Sequence, residues 1–267
     1  MSSTLMQTSS KSSINKQLTV ATVCMNAKLD KETNLATFKS YMKKASEKGA
    51  KLIVFPEVSL QQNPGWGKTD HKPTNEELKY LRDSAETVPG PSTSILIEAA
   101  RMHEVYVVYG MTEKGSDDKL YNSSVFLGPG GLIGKYRKRH LWDSETGGNE
   151  HLSWQTGLDS GVFNSPIGRV GLMICIEMSY GYGRILVGEG ADFLVTVSAW
   201  PRFAGHIFDE VSVSNAVEND CWHIVSNQVG VVGHAVDYGH SRIVTPNGEM
   251  IADTGAEEGM VIATINF

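Results

Sequence analysis

The 267-residue chain predicts an α/β fold, a four-layer α-β-β-α sandwich with an internal pseudo-twofold duplication. Three observations carry this expectation: the chain resembles itself, helical segments alternate with short continuous apolar strands, and each half closes on a Gly-containing hairpin turn. EKGAKLIVFPE (47 to 57) reads against EGADFLVTVSA (189 to 199), with the Gly-Ala pairs matching at an offset of 141 residues. EAARMHEVYVVYG (98 to 110) matches NAVENDCWHIVSN (215 to 227), and SVFLGPGGLIG (124 to 134) matches SRIVTPNGEMI (241 to 251), both at an offset of 117. The difference, 24 residues, is extra loop in the first half, expected within QQNPGWGKTDHKPTNEELKY.

In chain order, MSSTLMQTSSKSSINKQ (1 to 17) is Ser-rich, lacks the apolar core of a signal peptide and reads as a disordered tail, which leaves 18 to 267 as a single domain. LTVATVC (18 to 24) is the first apolar strand. The pair Gly49-Ala50 marks a helix end that feeds the strand KLIVF, which Pro56 stops. A helix and the strand VYVVYG follow, and then a hairpin turning at PGG. RVGLMIC (169 to 175) opens the second half, and Gly190-Ala191 repeats the helix end before FLVTVS. The second hairpin turns at PNG. Each repeat thus reads as strand, helix, strand, helix, strand, turn, strand. Crossover helices imply parallel pairing and the hairpins antiparallel pairing. Two such sheets, each with helices on one face, bury their other faces against each other.

Composition narrows the function classes. With 40% hydrophobic and 20% charged residues the chain is ordinary globular protein, neither disordered, collagenous nor disulfide-stapled. A formal charge of -6 with no basic block gives nucleic acid no electrostatic footprint. No run approaches the ~20 apolar residues that cross a bilayer. The expectation is a soluble cytoplasmic protein with neither nucleic acid nor membrane as partner, in which the sequon Asn122-Ser123-Ser124 goes unused. Cys24, Cys175 and Cys221 are odd in number and far apart, which excludes a disulfide framework. The eight His residues show no ligand spacing, so no metal site is expected.

Three segments do not look like packing. In FPE (55 to 57), Glu57 follows a strand end, where clefts form in α/β sheets; burial there would raise its carboxyl toward general-base range. Taken alone, an ordinary surface acid or helix cap accounts for it better. In GLIGKYRKRHLWD (131 to 143), strand alternation puts Lys135, Arg137 and Arg139 on one face, read as solvated, and Tyr136, Lys138 and His140 on the other. In RVGLMICIEMSYGYGR (169 to 184), Cys175 ends a buried strand at the edge that mirrors Glu57. A lone cysteine is by default a small buried hydrophobe, and Cys24 and Cys221 stay in that class.

Together these segments resemble the nitrilase, or carbon-nitrogen hydrolase, superfamily over nearly the whole chain after the tail. The resemblance implies that FPE holds the catalytic glutamate, KYRKRHL the catalytic lysine and GLMICIE the nucleophilic cysteine, that is Glu57, Lys138 and Cys175. EHLSWQTG resembles the family's segment with a second glutamate, so Glu150 is carried over as well. Three positions depart from the family pattern: Ile176 follows the cysteine where Tyr or Trp is common, Thr156 stands for the Pro before Gly157, and Asn215 for the arginine before Ala216.

The function so implied is cleavage of a non-peptide C–N bond of a small linear carboxamide through a cysteine thioester, with no cofactor. An N-carbamoyl amidohydrolase or a nitrilase using the same residues is the near alternative, and a catalytically silent scaffold the distant one. The backbone N–H of Ile176 is a candidate oxyanion donor beside Lys138. Trp200 and Phe203 are candidate pocket walls, Arg202 a candidate receiver of a substrate carboxylate, and Glu177 a candidate brace of the site. The resemblance also implies a homodimer or a larger even homo-oligomer.

Overall fold

The computed structural model describes residues 16–66, 72–143, 148–233 and 235–267. The expected tail up to residue 15, and part of the polar stretch expected to hold the extra loop, lie outside them. The first half runs β1 (Gln17–Cys24), α1 (Lys31–Glu47), β2 (Leu52–Val54), α2 (Asn75–Ser84), α3 (Pro91–His103), β3 (Tyr106–Lys114), β4 (Leu120–Gly128) and β5 (Gly131–Arg137). The second half runs β6 (Val162–Ser165), β7 (Gly168–Ile174), α4 (Tyr182–Gly188), β8 (Phe193–Ser198), α5 (Gly205–Glu218), β9 (His223–Asn227), β10 (Val229–Val232), β11 (Ala235–Tyr238), β12 (Arg242–Val244), β13 (Met250–Asp253) and β14 (Gly259–Asn266).

The Gly-Ala pairs end helices as expected. After α1, Gly49 takes φ 84°, its N–H bonds to Ser46 O at 2.9 Å and Ala50 N–H reaches Ala45 O at 3.0 Å. After α4, Gly190 takes φ 99°, and Ala191 N–H reaches Leu186 O at 3.0 Å. Both are Schellman closures, in which a glycine supplies the left-handed residue that a Cβ would disfavour. The same turn therefore launches β2 and β8 at equivalent angles.

Two six-stranded sheets result, ordered β14-β1-β2-β3-β4-β5 and β13-β12-β9-β8-β7-β6. β1, β2 and β3 are parallel, as are β7, β8 and β9, and the hairpin strands pair antiparallel. Each sheet has two strands beyond the repeat read from sequence. One arises because the strand after the second helix and the first hairpin strand are distinct, as β3 and β4 and as β9 and β12. The other is an edge strand, β14 on β1 and β6 on β7. β14 pairs along the whole of β1, and Lys16 N–H bonds to Phe267 O, so sheet pairing includes Gln17 and Lys16, slightly before residue 18. The extra residues of the first half lie between β2 and α3 and carry α2, which has no counterpart between β8 and α5.

Alternation along the strands sets the layers. Leu52 and Val54 join the core shared by the two sheets, whereas Ile53 and Phe55 face Phe38 and Leu96 of the helices above. Phe208 of α5 and Leu186 of α4 cover the outer face of the second sheet. Hydroxyls also link the sheets: Thr22 donates to Val225 O and Ser226 to Val23 O. These bonds hold the strand ends of the two halves in register where the candidate residues converge.

Candidate active site

β2 leads directly into Phe55-Pro56-Glu57, and Pro56, lacking an N–H, ends the ladder there. The turn is tight: a Cβ at Gly110 would stand 2.5 Å from Glu57 Cα. Glu57 crosses to the second sheet, its N–H bonding Ser198 O at 3.3 Å and its carbonyl accepting from Gln228 Nε2 at 2.8 Å. Its carboxylate is fully buried. Oε1 accepts from Asn122 Nδ2 at 2.7 Å and Lys138 Nζ at 2.8 Å, and Oε2 accepts from Ala199 N–H at 2.9 Å. Three donors from three separate chain segments thus fix the orientation of the carboxylate.

Lys138 follows β5, and the expected alternation holds: Tyr136 and Lys138 point inward while Lys135 and Arg137 occupy the other face. The expectation that Lys135 and Arg137 are merely solvated does not hold. Both pair with the buried carboxylate of Glu113, Arg137 through bonds of 2.6 and 3.0 Å, because an edge strand beside a buried acid must supply its counter-charge. Arg139 lies 5.5 Å from the Tyr182 ring centroid. The Lys138 backbone is clamped between Asn122 O and Gly157 N–H, each at 2.8 Å; a Cβ at Gly157 would come within 2.3 Å of Arg137 O. From there the ammonium donates to Glu57 Oε1 and Glu150 Oε1, both at 2.8 Å. Glu150 opens a one-turn 3-10 helix, and its other oxygen accepts from Trp142 N–H at 2.7 Å.

The charge states are interlocked. Burial alone would lower the Lys138 pKa, but the charges of Glu150 and Glu57 more than reverse this and hold it above the usual lysine value. Burial pushes the Glu150 carboxyl up to about 7 against the opposing pull of Lys138, with the Glu57 charge adding to the rise. One ammonium thus serves two carboxyls in a site without water-like screening.

Cys175 follows β7 at φ 53°, a left-handed conformation that costs an L-residue about 1–2 kcal/mol. The turn swings the thiol out of the sheet into the cavity and opens a 3-10 helix, Cys175–Tyr180, whose first N–H groups have no intrahelical acceptor. Glu177 braces this turn, as expected from sequence. Its Oε2 accepts from Ile174 N–H at 2.8 Å, and its Oε1 accepts from Tyr136 OH and from the N–H groups of Arg139 and His140, at 2.8, 2.7 and 3.1 Å. One buried carboxylate therefore ties the lysine-bearing segment to the cysteine-bearing turn. Burial raises the Cys175 thiol well above its ordinary value; the Glu57 charge adds to this and Lys138 opposes it. Cys24 and Cys221 are free thiols buried in the core, and burial pushes Cys221 up to about 12.

A cleft of about 340 Å³ opens over Cys175. Ile176 and Trp200 line it, and Phe203, 64% exposed, sits at its rim. Arg202 does not line it: in the short turn Arg202–Ala204 its side chain faces solvent while its two successors face the cleft, so its expected role as carboxylate receiver is withdrawn. Sequence reasoning missed Asn122, Trp66, Trp142, Tyr180 and Asp237. Asn122 carried a signal, a polar amide inside the apolar strand LYNSSVFLG, that its sequon context masked.

This fold and this buried Glu-Lys-Glu cluster beside a thiol define an enzyme that cleaves carbon–nitrogen bonds. The family model described as Carbon-nitrogen hydrolase matches residues 19–267, and the chain belongs to that family. The human protein named Omega-amidase NIT2 is 31% identical over 245 residues, covering 89% of this chain and 84% of the relative. Saccharomyces cerevisiae Nit3, described as a member of branch 10 of the nitrilase superfamily, superposes with a TM-score of 0.80 at 24% identity, covering 93% of this chain and 90% of the other. An amidase from Nesterenkonia sp. AN1, solved with acrylamide bound, shares the fold with a TM-score of 0.77 at 19% identity over 93% of this chain and 90% of that one. Among the described residues, no helix is long and apolar enough to cross a membrane.

Proposed function

We propose that the protein hydrolyses a small linear carboxamide to its acid and ammonia through a thioester on Cys175. The observation that carries this is the placement of Glu57 and Glu150 on one ammonium, Lys138, at 2.8 Å each, beside the thiol that opens into the cleft. Burying such a cluster costs stability that a scaffold has no reason to spend. The cleft, of about 340 Å³, lies at the small end of the range for small-molecule sites and suits a small ligand.

The protonation states dictate the order of events. The Cys175 thiol is neutral in the resting site, so it becomes a nucleophile only as its proton moves to Glu57. Sulfur attacks the amide carbon, and the oxygen of the tetrahedral adduct is held by the Lys138 ammonium and the Ile176 N–H. Glu57 returns the proton to the nitrogen, the C–N bond breaks, and ammonia leaves the acyl thioester behind. Glu57 then takes a proton from water; hydroxide adds to the thioester, and the departing sulfur recovers that proton as the acid is released. Glu150 keeps Lys138 charged and aimed, and Glu177 fixes the spacing of the two chain segments.

The names of the relatives support an amide as substrate: omega-amidase for the human protein, amidase for the bacterial one. Ammonia release from a panel of aliphatic amides, N-carbamoyl amines and nitriles tests the proposal, with Cys175→Ala as control. Turnover is expected on the amides and absent in the variant. Turnover confined to N-carbamoyl compounds or nitriles would assign the same residues to another bond, and amide turnover surviving Cys175→Ala would sink the mechanism.

A further inference from the structure

Asp237 is a buried acid that the mechanism above does not use. It lies on β11, whose alternation turns Ala235 and Asp237 to the cleft and leaves Val236 exposed. β11 is fixed over the site by the bridge between Asp237 and Pro201 and by Tyr238 N–H bonding Trp200 O at 2.8 Å. The side chain is 2% exposed, lines the same cleft as Cys175, and its Oδ2 has no hydrogen-bond partner.

The other buried acids show how unusual this is. Glu57 and Glu150 share Lys138, Glu113 has Lys135 and Arg137, and Glu177 has four donors. An unpaired carboxyl in a low-dielectric site is costly unless something arrives to pair with it. Three carboxyls, Glu57, Glu150 and Asp237, surround a site whose one described cation, Lys138, is already shared. Aromatic side chains, among them Trp66, Trp142, Tyr180 and Trp200, line the same cleft, and aromatic faces attract cations.

We propose that Asp237 is a specificity residue, a subsite that receives an ammonium group borne by the substrate at the end remote from the scissile amide. The preferred substrate class is then the ω-amino carboxamides. The ligand ammonium does for Asp237 what Lys135 and Arg137 do for Glu113, whose carboxyl lies below its ordinary value despite complete burial. Without that partner, burial and the Glu57 charge hold the Asp237 carboxyl well above the usual range. A substrate carboxylate in the same place would find no counter-charge and would meet the Glu57 charge that already acts on Asp237.

The assignment rests on the amide-hydrolase proposal, and three chain-matched amides separate the two: δ-aminovaleramide, hexanamide and glutaramate. The expected order of kcat/KM is δ-aminovaleramide, then hexanamide, then glutaramate, with about tenfold or more between the first two, as an ion-paired hydrogen bond supplies. In Asp237→Asn the ratio of the first two falls to about one. Hydrolysis of hexanamide with no preference for the amine, a preference for glutaramate, or an amine preference that survives Asp237→Asn overturns the subsite and leaves the hydrolase proposal standing.

If no amide is turned over, the hydrolase proposal fails, and calorimetric binding of the same compounds to the full-length protein still decides the subsite. Binding of δ-aminovaleramide tighter than hexanamide supports it, and equal or weaker binding refutes it. Thermal unfolding of Asp237→Asn checks that the variant is folded. Should it not fold, the order of the three compounds with the parent protein is decisive by itself.

Discussion

Replacing Glu57 by Gln is expected to lower kcat for amide hydrolysis by about 10³ to 10⁴-fold, near the upper end of what a positioned acid–base group contributes. The substitution keeps the shape of the side chain, and the one oxygen of a carboxamide can still accept from Lys138 and Asn122, although its NH2 group then faces the Ala199 N–H. It cannot take a proton from Cys175, whose thiol stands above its ordinary value, partly through the Glu57 charge itself. Losing that charge makes the thiolate intrinsically easier to form, yet it removes the carboxylate that accepts from Ala199 N–H, just after β8 and beside the cleft. Proton transfer is the larger effect, so activity falls while KM changes little. Steady-state ammonia release checks this, and a loss below about tenfold would be incompatible with Glu57 acting as the base.

The second large effect belongs to Lys138. Lys138→Met fills similar volume but leaves Glu57 and Glu150, both buried, without a cation. Removing one partner of a buried charge pair typically costs about 3–5 kcal/mol, and removing one oxyanion donor about 10² to 10³ in turnover. The variant is therefore expected to lose both stability, by urea unfolding, and activity. The double variant Lys138→Met with Glu150→Gln separates the two losses. Removing one of the opposed acids restores part of the stability and none of the turnover. Recovery of turnover in the double variant would show that Lys138 acts only by neutralising Glu150.

The parts of this site visible in the sequence are those whose local chain geometry repeats. Gly49 and Gly190 announced equivalent helix ends, so the strands carrying Glu57 and leading to Ser198 were legible as counterparts, and alternation placed Lys138 on the inner face. Residues that reach the site through tertiary contacts left weaker traces. Asn122 acts across β4 and β5 on a carboxylate 65 positions earlier. Trp66 and Trp142 lie in loops with no periodicity to reveal which way they face. Asp237 sits on β10–β11, which at the offset of 117 falls on the distal end of the β3–β4 hairpin, but its counterpart there is Leu120, so self-similarity gave no reason to single out an acid. The edge strands β6 and β14 escaped because they lie outside the duplicated segments, yet each completes a sheet. Arg202 shows the converse. Its bidentate guanidinium made it a candidate carboxylate receiver against the default of a surface arginine beside Pro201, and one turn of 3-10 helix directs it to solvent, as that default has it.

The central claim is that water and the leaving nitrogen never occupy the carbon together, because a thioester on Cys175 intervenes. Partitioning by hydroxylamine tests it without requiring the intermediate to accumulate. Hexanamide and the N-methylamide and methyl ester of the same acid are turned over in a fixed concentration of hydroxylamine, and the ratio of hydroxamate to acid is measured for each. A shared acyl-enzyme predicts one ratio whatever group has left, and neither product from Cys175→Ala. Ratios that follow the leaving group would contradict the account, since they would mean that water attacks the substrate directly.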